Sequence, residues 1–264
     1  MAAVAAAMIA VASKGYLSAM TILGIDIGGS ALKGAPVDTK TGKLLAERHR
    51  IATPEALSPK EMAAAIKQLA AHFNWKGPVG VGFPGVVHEN VIRTCSNLHK
   101  EFIGLDAGKL FSKTVGRAVG LVNDADAAGV AEVAFGAGKG HRGTVLMLTF
   151  GTGVGSALFL DGKLYPNSEF GHLKIKGKSA ERFVSAAAKD RKKLSFKKWA
   201  HQVSDYLNQL EDVIWPDLII VGGGISADHE KWFNHLKLRT PITPAAFFNE
   251  AGIVGAALSA VKTG

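Results

Sequence analysis

One stretch of this chain repeats another. Laid without gaps, DIGGSALKGAPVD (Asp26 to Asp38) falls on TFGTGVGSALFLD (Thr149 to Asp161), bringing Gly28 onto Gly151 and Asp38 onto Asp161. A period above 100 residues builds no solenoid; it calls for two similar domains, each opening with strand, glycine-rich turn, strand. With 264 residues, 47% of them hydrophobic, the chain can bury two such cores.

The rest of the pattern is mixed α/β. TILGIDI, ALKGAPV and KLLAERHRIA, separated by GGS and DTKTG, predict an antiparallel meander from Thr21 to Ala52. Apolar residues at Met62, Ala65, Ile66, Leu69 and Ala70 recur at helical spacing behind a Ser58-Pro59 start. PVGVGFPG is a buried strand, a helix follows near Asp106 to Gly116, and AVGLVND is a second buried strand. Helix then runs from about Asp124 to Phe135 and stops at GAGKG. After the repeated unit come a basic, largely helical stretch (179–212), a buried strand in DLIIVGGGIS and a closing small-residue helix, NEAGIVGAALSAVK. The expected division is an extension over 1–20, a small domain over 21–123 with the closing helix (about 250–264), and a larger domain over 124–249.

Residues 1–20 are Ala- and Met-rich, and their apolar part is too short to span a bilayer. No Lys or Arg precedes it as in a secretory signal, so it is excluded from the fold and a cytoplasmic location is expected. Cys95 is the one cysteine, which rules out an internal disulfide and a Cys-based zinc site built from it alone. The net charge of +9 is concentrated: residues 169–200 hold ten Lys or Arg against three acids. Such a run is either a solvated helix face or a polyanion site.

GVGFPG matches a dinucleotide-binding spacing, but Pro84 and a β-rich segment follow where a helix should open; GAGKG lacks the rest of a P-loop. The paired turns carry more. In DIGGS, Gly28 and Gly29 free backbone N–H groups for an anion, Ser30 adds a hydroxyl, and Asp26 can hold a hydrated Mg²⁺ near bound phosphates. TFGTG offers Thr149, Gly151, Thr152 and Gly153 for a second clamp; the alternative is that both are tight hairpin turns. Asn123 and Asp124 end a buried strand, where open α/β sheets place ligand groups. There Asp124 is either a general base for a hydroxyl or a helix cap, and Asp126 complements the helix dipole. In NSEFGHLKI, Glu169 and His172 can converge on one polar ligand, and Asn97 adds an amide whose role is open.

Together GIDIGGSALKG, GVGFPG, NDADAAG, TFGTGVGS, EFGH and IVGGGIS resemble, in order, the ROK (repressor, open reading frame, kinase) sugar kinases over residues 21 to about 260. The resemblance implies a duplicated actin-like ATPase (ribonuclease-H-like) fold with sugar in the interdomain cleft, and a homodimer. It implies Asp124 as the base on the sugar's 6-hydroxyl. Asn97, Asn123, Glu169 and His172 match sugar contacts, and Gly222, Gly223 and Gly224 the nucleoside side of the donor site. Most members carry a Cys-rich zinc motif after E-x-G-H; this chain has none, so no zinc is expected. That departure is similar to the polyphosphate glucokinase and glucomannokinase branch. Ser30 stands where Thr is commoner, and Phe102 where the branch often has Trp.

The expected activity is therefore Mg²⁺-assisted phosphoryl transfer from inorganic polyphosphate, and ATP, to glucose. Lys33 is a candidate for reaching the transferring phosphate, and Lys189, Arg191, Lys192, Lys193, Lys197 and Lys198 for the polyphosphate route. An ATP-dependent kinase for another hexose is the near alternative. A sugar-sensing regulator would need a helix-turn-helix that residues 1–20 are not expected to supply, and no nucleic-acid or membrane partner is expected.

Overall fold

The structure, a computed structural model, describes residues 21–52, 57–95 and 98–260. The expectations for residues 1–20, for Asn97 and for the last four residues of the closing helix lie outside the described residues.

β1 (Thr21–Ile27) and β2 (Ala31–Asp38) run antiparallel, with Asp26 opposite Lys33. The expected third strand is instead two pieces on β2, β3 (Lys43–Leu44) and β4 (His49–Ala52). Pro36 supplies the reason. Its carbonyl accepts from Leu45 N at 2.8 Å, but its ring nitrogen has no hydrogen to return the bond, so the ladder opens there. α1 (Pro59–His72) starts at a reciprocal cap in which Ser58 Oγ accepts from Glu61 N and Ser58 N donates to Glu61 Oε2. β5 (Val79–Phe83), the hairpin β6 (Val87–His88) and β7 (Val91–Ile92), α2 (Ala107–Val115) and β8 (Val119–Asn123) complete the first half. The first sheet has the order β3-β2-β1-β5-β8, with β5 and β8 parallel to β1.

α3 (Asp124–Phe135) leads to the second sheet: β9 (Thr144–Phe150), β10 (Val154–Leu160) and β11 (Lys163–Tyr165). The ribbon β12 (Lys174–Ile175) and β13 (Lys178–Ser179) follows, then α4 (Glu181–Val184), α5 (Ala186–Arg191) and α6 (Phe196–Ile214). β14 (Leu218–Gly222), β15 (Ile242–Pro244) and α7 (Ala251–Ala260) close the chain. The second sheet's order, β11-β10-β9-β14-β15, reproduces that of the first, with the same antiparallel and parallel pairings around β9. The duplication seen in the letters is a duplication of topology.

Strand alternation sorts the cores into layers. Leu23, Ile25 and Ile27 of β1 face α1 and α2, whereas Ile22 faces the middle layer. Likewise Val145 and Met147 of β9 face the middle, and Leu146, Leu148 and Phe150 pack on Trp199, Val203 and Leu207 of α6. Between the sheets lie α3 and α7. Glycines set their depth: a methyl group on Gly24 or Gly80 would overlap the α7 backbone at Ile253 or Ala256, and one on Gly255 would overlap Ala127 of α3. The fully buried Glu132 ties the end of α3 to the approach to α7, accepting from Ala137 N (2.9 Å), Ala246 N (3.0 Å) and Phe247 N (2.7 Å). No described helix is long and apolar enough to cross a membrane.

Candidate active site

The turns after β1 and β9 open into one cleft of about 1640 Å³. Gly28, Gly29 and Ser30 line it from one sheet, and Thr149, Gly151, Thr152 and Gly153 from the other. Each turn is closed by its own backbone, Gly28 N to Ala31 O at 3.0 Å and Gly151 N to Gly153 O at 3.0 Å. Neither Gly29 nor Gly151 has positive φ, and no atom lies within 4 Å of where a Cβ would stand on either. Backbone strain therefore does not require glycine at these two positions. Packing does not require it either; what glycine leaves is a bare backbone edge facing an open volume, as an anion cradle needs.

Asp124 stands on the floor of this cleft at the first turn of α3. The helix cap is its neighbour. Asn123 Oδ1 accepts from Asp126 N at 2.9 Å, and Asn123 Nδ2 donates to Gly85 O at 3.0 Å. Among the described residues, Asp124 Oδ1 accepts only from the adjacent Ala125 N, at 2.8 Å. Burial above all, then the nearby charge of Asp26, pushes the Asp124 carboxyl up to about 7, with Glu169 and Asp126 adding to the repulsion. Such a carboxyl is poised to exchange a proton near neutral pH.

Glu169 and His172 also line the cleft, with Glu169 Oε2 3.7 Å from His172 Nδ1. Burial raises the Glu169 carboxyl, and His172 partly offsets it. The residues on either side of Glu169 are held down: Ser156 Oγ donates to Ser168 O and accepts from Phe170 N at 2.9 Å. Asp126 does more than complement the helix dipole. Its Oδ2 accepts from Asn167 N at 2.7 Å, fastening this loop to α3.

The remaining expected residues divide. Gly223 lines the cleft, at φ 84°, but Gly222 and Gly224 do not. Asp26 lies outside the lining and is raised by burial, partly offset by Lys33, its cross-strand neighbour; Lys33 is not on the cleft either. Of the basic cluster, Arg191 and Lys192 reach the wall, whereas Lys189, Lys193, Lys197 and Lys198 do not. Ser185 and Ser195 explain the split. Each accepts from the backbone of a new helix (Ala188 N, Lys198 N), so the stretch bends twice and its lysines diverge. Lys189 instead lies 4.4 Å from the centre of the Phe196 ring, beside Asp190 at 3.1 Å. Lys178, Arg182 and Glu181 line the cleft and were missed as site residues, as were Pro84, Gly85 and Thr94. Lys178 and Arg182 stood in the counted basic run, but nothing in their spacing set them apart.

The described residues hold no group of three or more His, Cys, Asp or Glu close enough for direct metal capture. A divalent cation held through water is a different matter. Asp26 is close enough for its charge to raise the Asp124 carboxyl, and both are hard oxygen donors, Asp26 two residues before the first glycine turn. The donor set fits a hydrated Mg²⁺.

Two like sheets, a cleft between their glycine turns and a perturbed carboxyl on its floor define the class. The ROK family model matches residues 22–186, and the chain belongs to that family. It is 47% identical to the polyphosphate glucokinase of Mycobacterium tuberculosis over 239 residues, 90% of each chain. The polyphosphate glucokinase of Mycobacterium leprae is 46% identical over 89% of this chain and 73% of its own. Among solved structures, the inorganic polyphosphate/ATP-glucomannokinase of Arthrobacter sp. strain KM superposes with a TM-score of 0.89 at 44% identity, over 92% of this chain and 99% of that one. The Streptomyces griseus ROK family glucokinase solved with glucose and AMPPNP shares the fold, with a TM-score of 0.78 at 23% identity over 92% of this chain and all of that one. The actin-like two-domain fold is thus the observed one.

Proposed function

We propose that this chain is a glucokinase that moves the terminal phosphoryl group of inorganic polyphosphate, and of ATP, to the 6-hydroxyl of glucose. The observation that carries the proposal is the convergence of both open glycine turns, Asp124 and the Glu169–His172 pair on one cleft. The names of the relatives just described support the substrates. Asn123, Glu169 and His172 are the sugar-facing groups of this proposal. Gly28, Gly29, Ser30, Thr149, Gly151, Thr152 and Gly153 cradle the phosphates, with Gly223 beside them.

In the reaction, Asp124 accepts the proton of the attacking hydroxyl, and a carboxyl balanced near 7 suits that exchange. The two turns hold the donor in line, so catalysis is mostly positioning and charge stabilisation. Asp26 would hold a hydrated Mg²⁺, and such an ion would neutralise charge on the transferring phosphates. Lys178, Arg182, Arg191 and Lys192 on the wall form the entry for a polyanionic donor longer than ATP. A homodimer in the cytoplasm, and a domain boundary at the start of α3, belong to the same proposal.

The test is glucose 6-phosphate formation with Mg²⁺ and either polyphosphate or ATP as sole donor. Turnover with polyphosphate supports the proposal. Turnover of another hexose alone would replace glucose in it.

A further inference from the structure

Hydrogen bonds close a ring beneath Asp124. Asn123 Nδ2 donates to Gly85 O (3.0 Å), and Asn123 Oδ1 accepts from Asp126 N (2.9 Å). Asp126 Oδ2 accepts from Asn167 N (2.7 Å). The Asn167 side chain then pairs with the Val87 backbone in both directions, Oδ1 accepting from Val87 N at 3.0 Å and Nδ2 donating to Val87 O at 2.9 Å. Val87 stands two residues beyond Gly85, which closes the circuit. Three segments meet in it: the start of the base-bearing helix, the Pro84–Gly85 wall that leaves the first sheet, and the loop of Glu169 and His172 that leaves the second.

Two features make Asp126 and Asn167 the joints of this ring. Asp126 is 1% exposed, and its second oxygen has no hydrogen-bond partner among the described residues, so a buried carboxyl is devoted to one backbone N–H of the loop. Asn167 adopts φ 59°, a conformation that Asn tolerates, and so turns its amide edge-on to Val87 as a substitute strand. Ser156 pins the loop to its own sheet; among the described residues, Asn167 alone in that loop carries side-chain bonds to the opposite one.

We propose that Asp126 and Asn167 are positioning residues of the sugar subsite, holding Glu169, His172 and the Gly85 wall at a set distance from Asp124, and that they govern sugar affinity more than chemistry. The role rests on the glucokinase reading for its substrate, while the ring itself does not. Loosening it leaves Asp124 and both phosphate turns in place, so the loss falls on KM for the sugar.

The test uses Asp126→Ala, Asp126→Asn, Asn167→Gly and the unaltered chain. Gly keeps the φ of residue 167 while deleting its amide. For Asn167→Gly and Asp126→Ala, KM for glucose is expected to rise about tenfold or more, with kcat within about threefold and KM for the donor unchanged. Asp126→Asn keeps an acceptor for Asn167 N and should restore KM to within about threefold of the unaltered chain. A fall in kcat with KM for glucose unchanged, equal rises in KM for sugar and donor, or unaltered kinetics in Asn167→Gly would each overturn the proposal. Amide hydrogen exchange over residues 166–173 is the second readout: Asn167→Gly should speed it locally, and unchanged exchange there would overturn the ring. If Asp126→Ala does not fold, Asn167→Gly and Asp126→Asn carry the test. If the unaltered chain leaves glucose unphosphorylated, the functional reading fails while the exchange result still decides the ring.

Discussion

Asp124 occupies the first turn of a helix whose cap is Asn123, and that single placement frees its carboxylate for chemistry. Asp124→Ala is expected to lower kcat by about 10²-fold or more, with a modest change in glucose affinity, in steady-state assays. The base must be ionised to act. kcat/KM for glucose should therefore fall as pH drops through about 7. Stability runs the other way. Asp124 holds its proton up to about 7 in the folded chain against an ordinary 3.8, so between those values the native state binds a proton that the unfolded chain has lost. Its contribution is full below the lower value and lost as pH rises through the higher one. Asp124→Asn should accordingly raise Tm at pH 8 and leave it nearly unchanged at pH 4, in thermal melts at both pH values. The sequence offered Asp124 as base or cap without deciding. Only the hydrogen bond from Asp126 N to Asn123 settles which residue caps.

At the scale of elements, the glycines fall into two kinds that look alike in the sequence. Gly29 and Gly151 face empty cleft, whereas Gly24, Gly80 and Gly255 lie under α7 or against α3. Gly151→Ala should fold with an almost unchanged Tm and raise KM for the phosphoryl donor about tenfold, by filling cradle space. Gly255→Ala should instead lower Tm sharply or prevent folding, because the crossing of two central helices cannot widen cheaply. Melting curves beside donor titrations separate the two. Strand and helix positions were largely legible: turn residues bounded β1, β2 and β9, continuous apolar runs marked β5 and β14, and Ser58, Asp106 and Gly116 marked helix ends. The break between β3 and β4 was not, since Pro36 acts on a partner strand rather than on its own.

For the whole molecule, the net charge of +9 matters through where the folded chain sends it. Reversing Lys178 and Arg182 to Glu should weaken polyphosphate use about tenfold or more while changing ATP use less, and the difference should shrink at high salt. Neutralising Lys197 and Lys198, which lie off the cleft, should leave both donors within about twofold. Initial rates with each donor at low and high ionic strength check both expectations. By itself the sequence determined that two like α/β units exist, which strands carry the glycine turns, and which carboxylates end buried strands, because those properties are written in apolar runs, turn residues and one gapless repeat. Tertiary structure alone decided which of ten neighbouring basic residues reach the cleft, that Asp26 and Asp124 share one electrostatic site, and that Asn167 of one half bonds to Val87 of the other. The physical reason is range: local backbone preference reaches a few residues, whereas the ring joins residues 80 apart along the chain, and charge coupling and cleft join residues farther apart still.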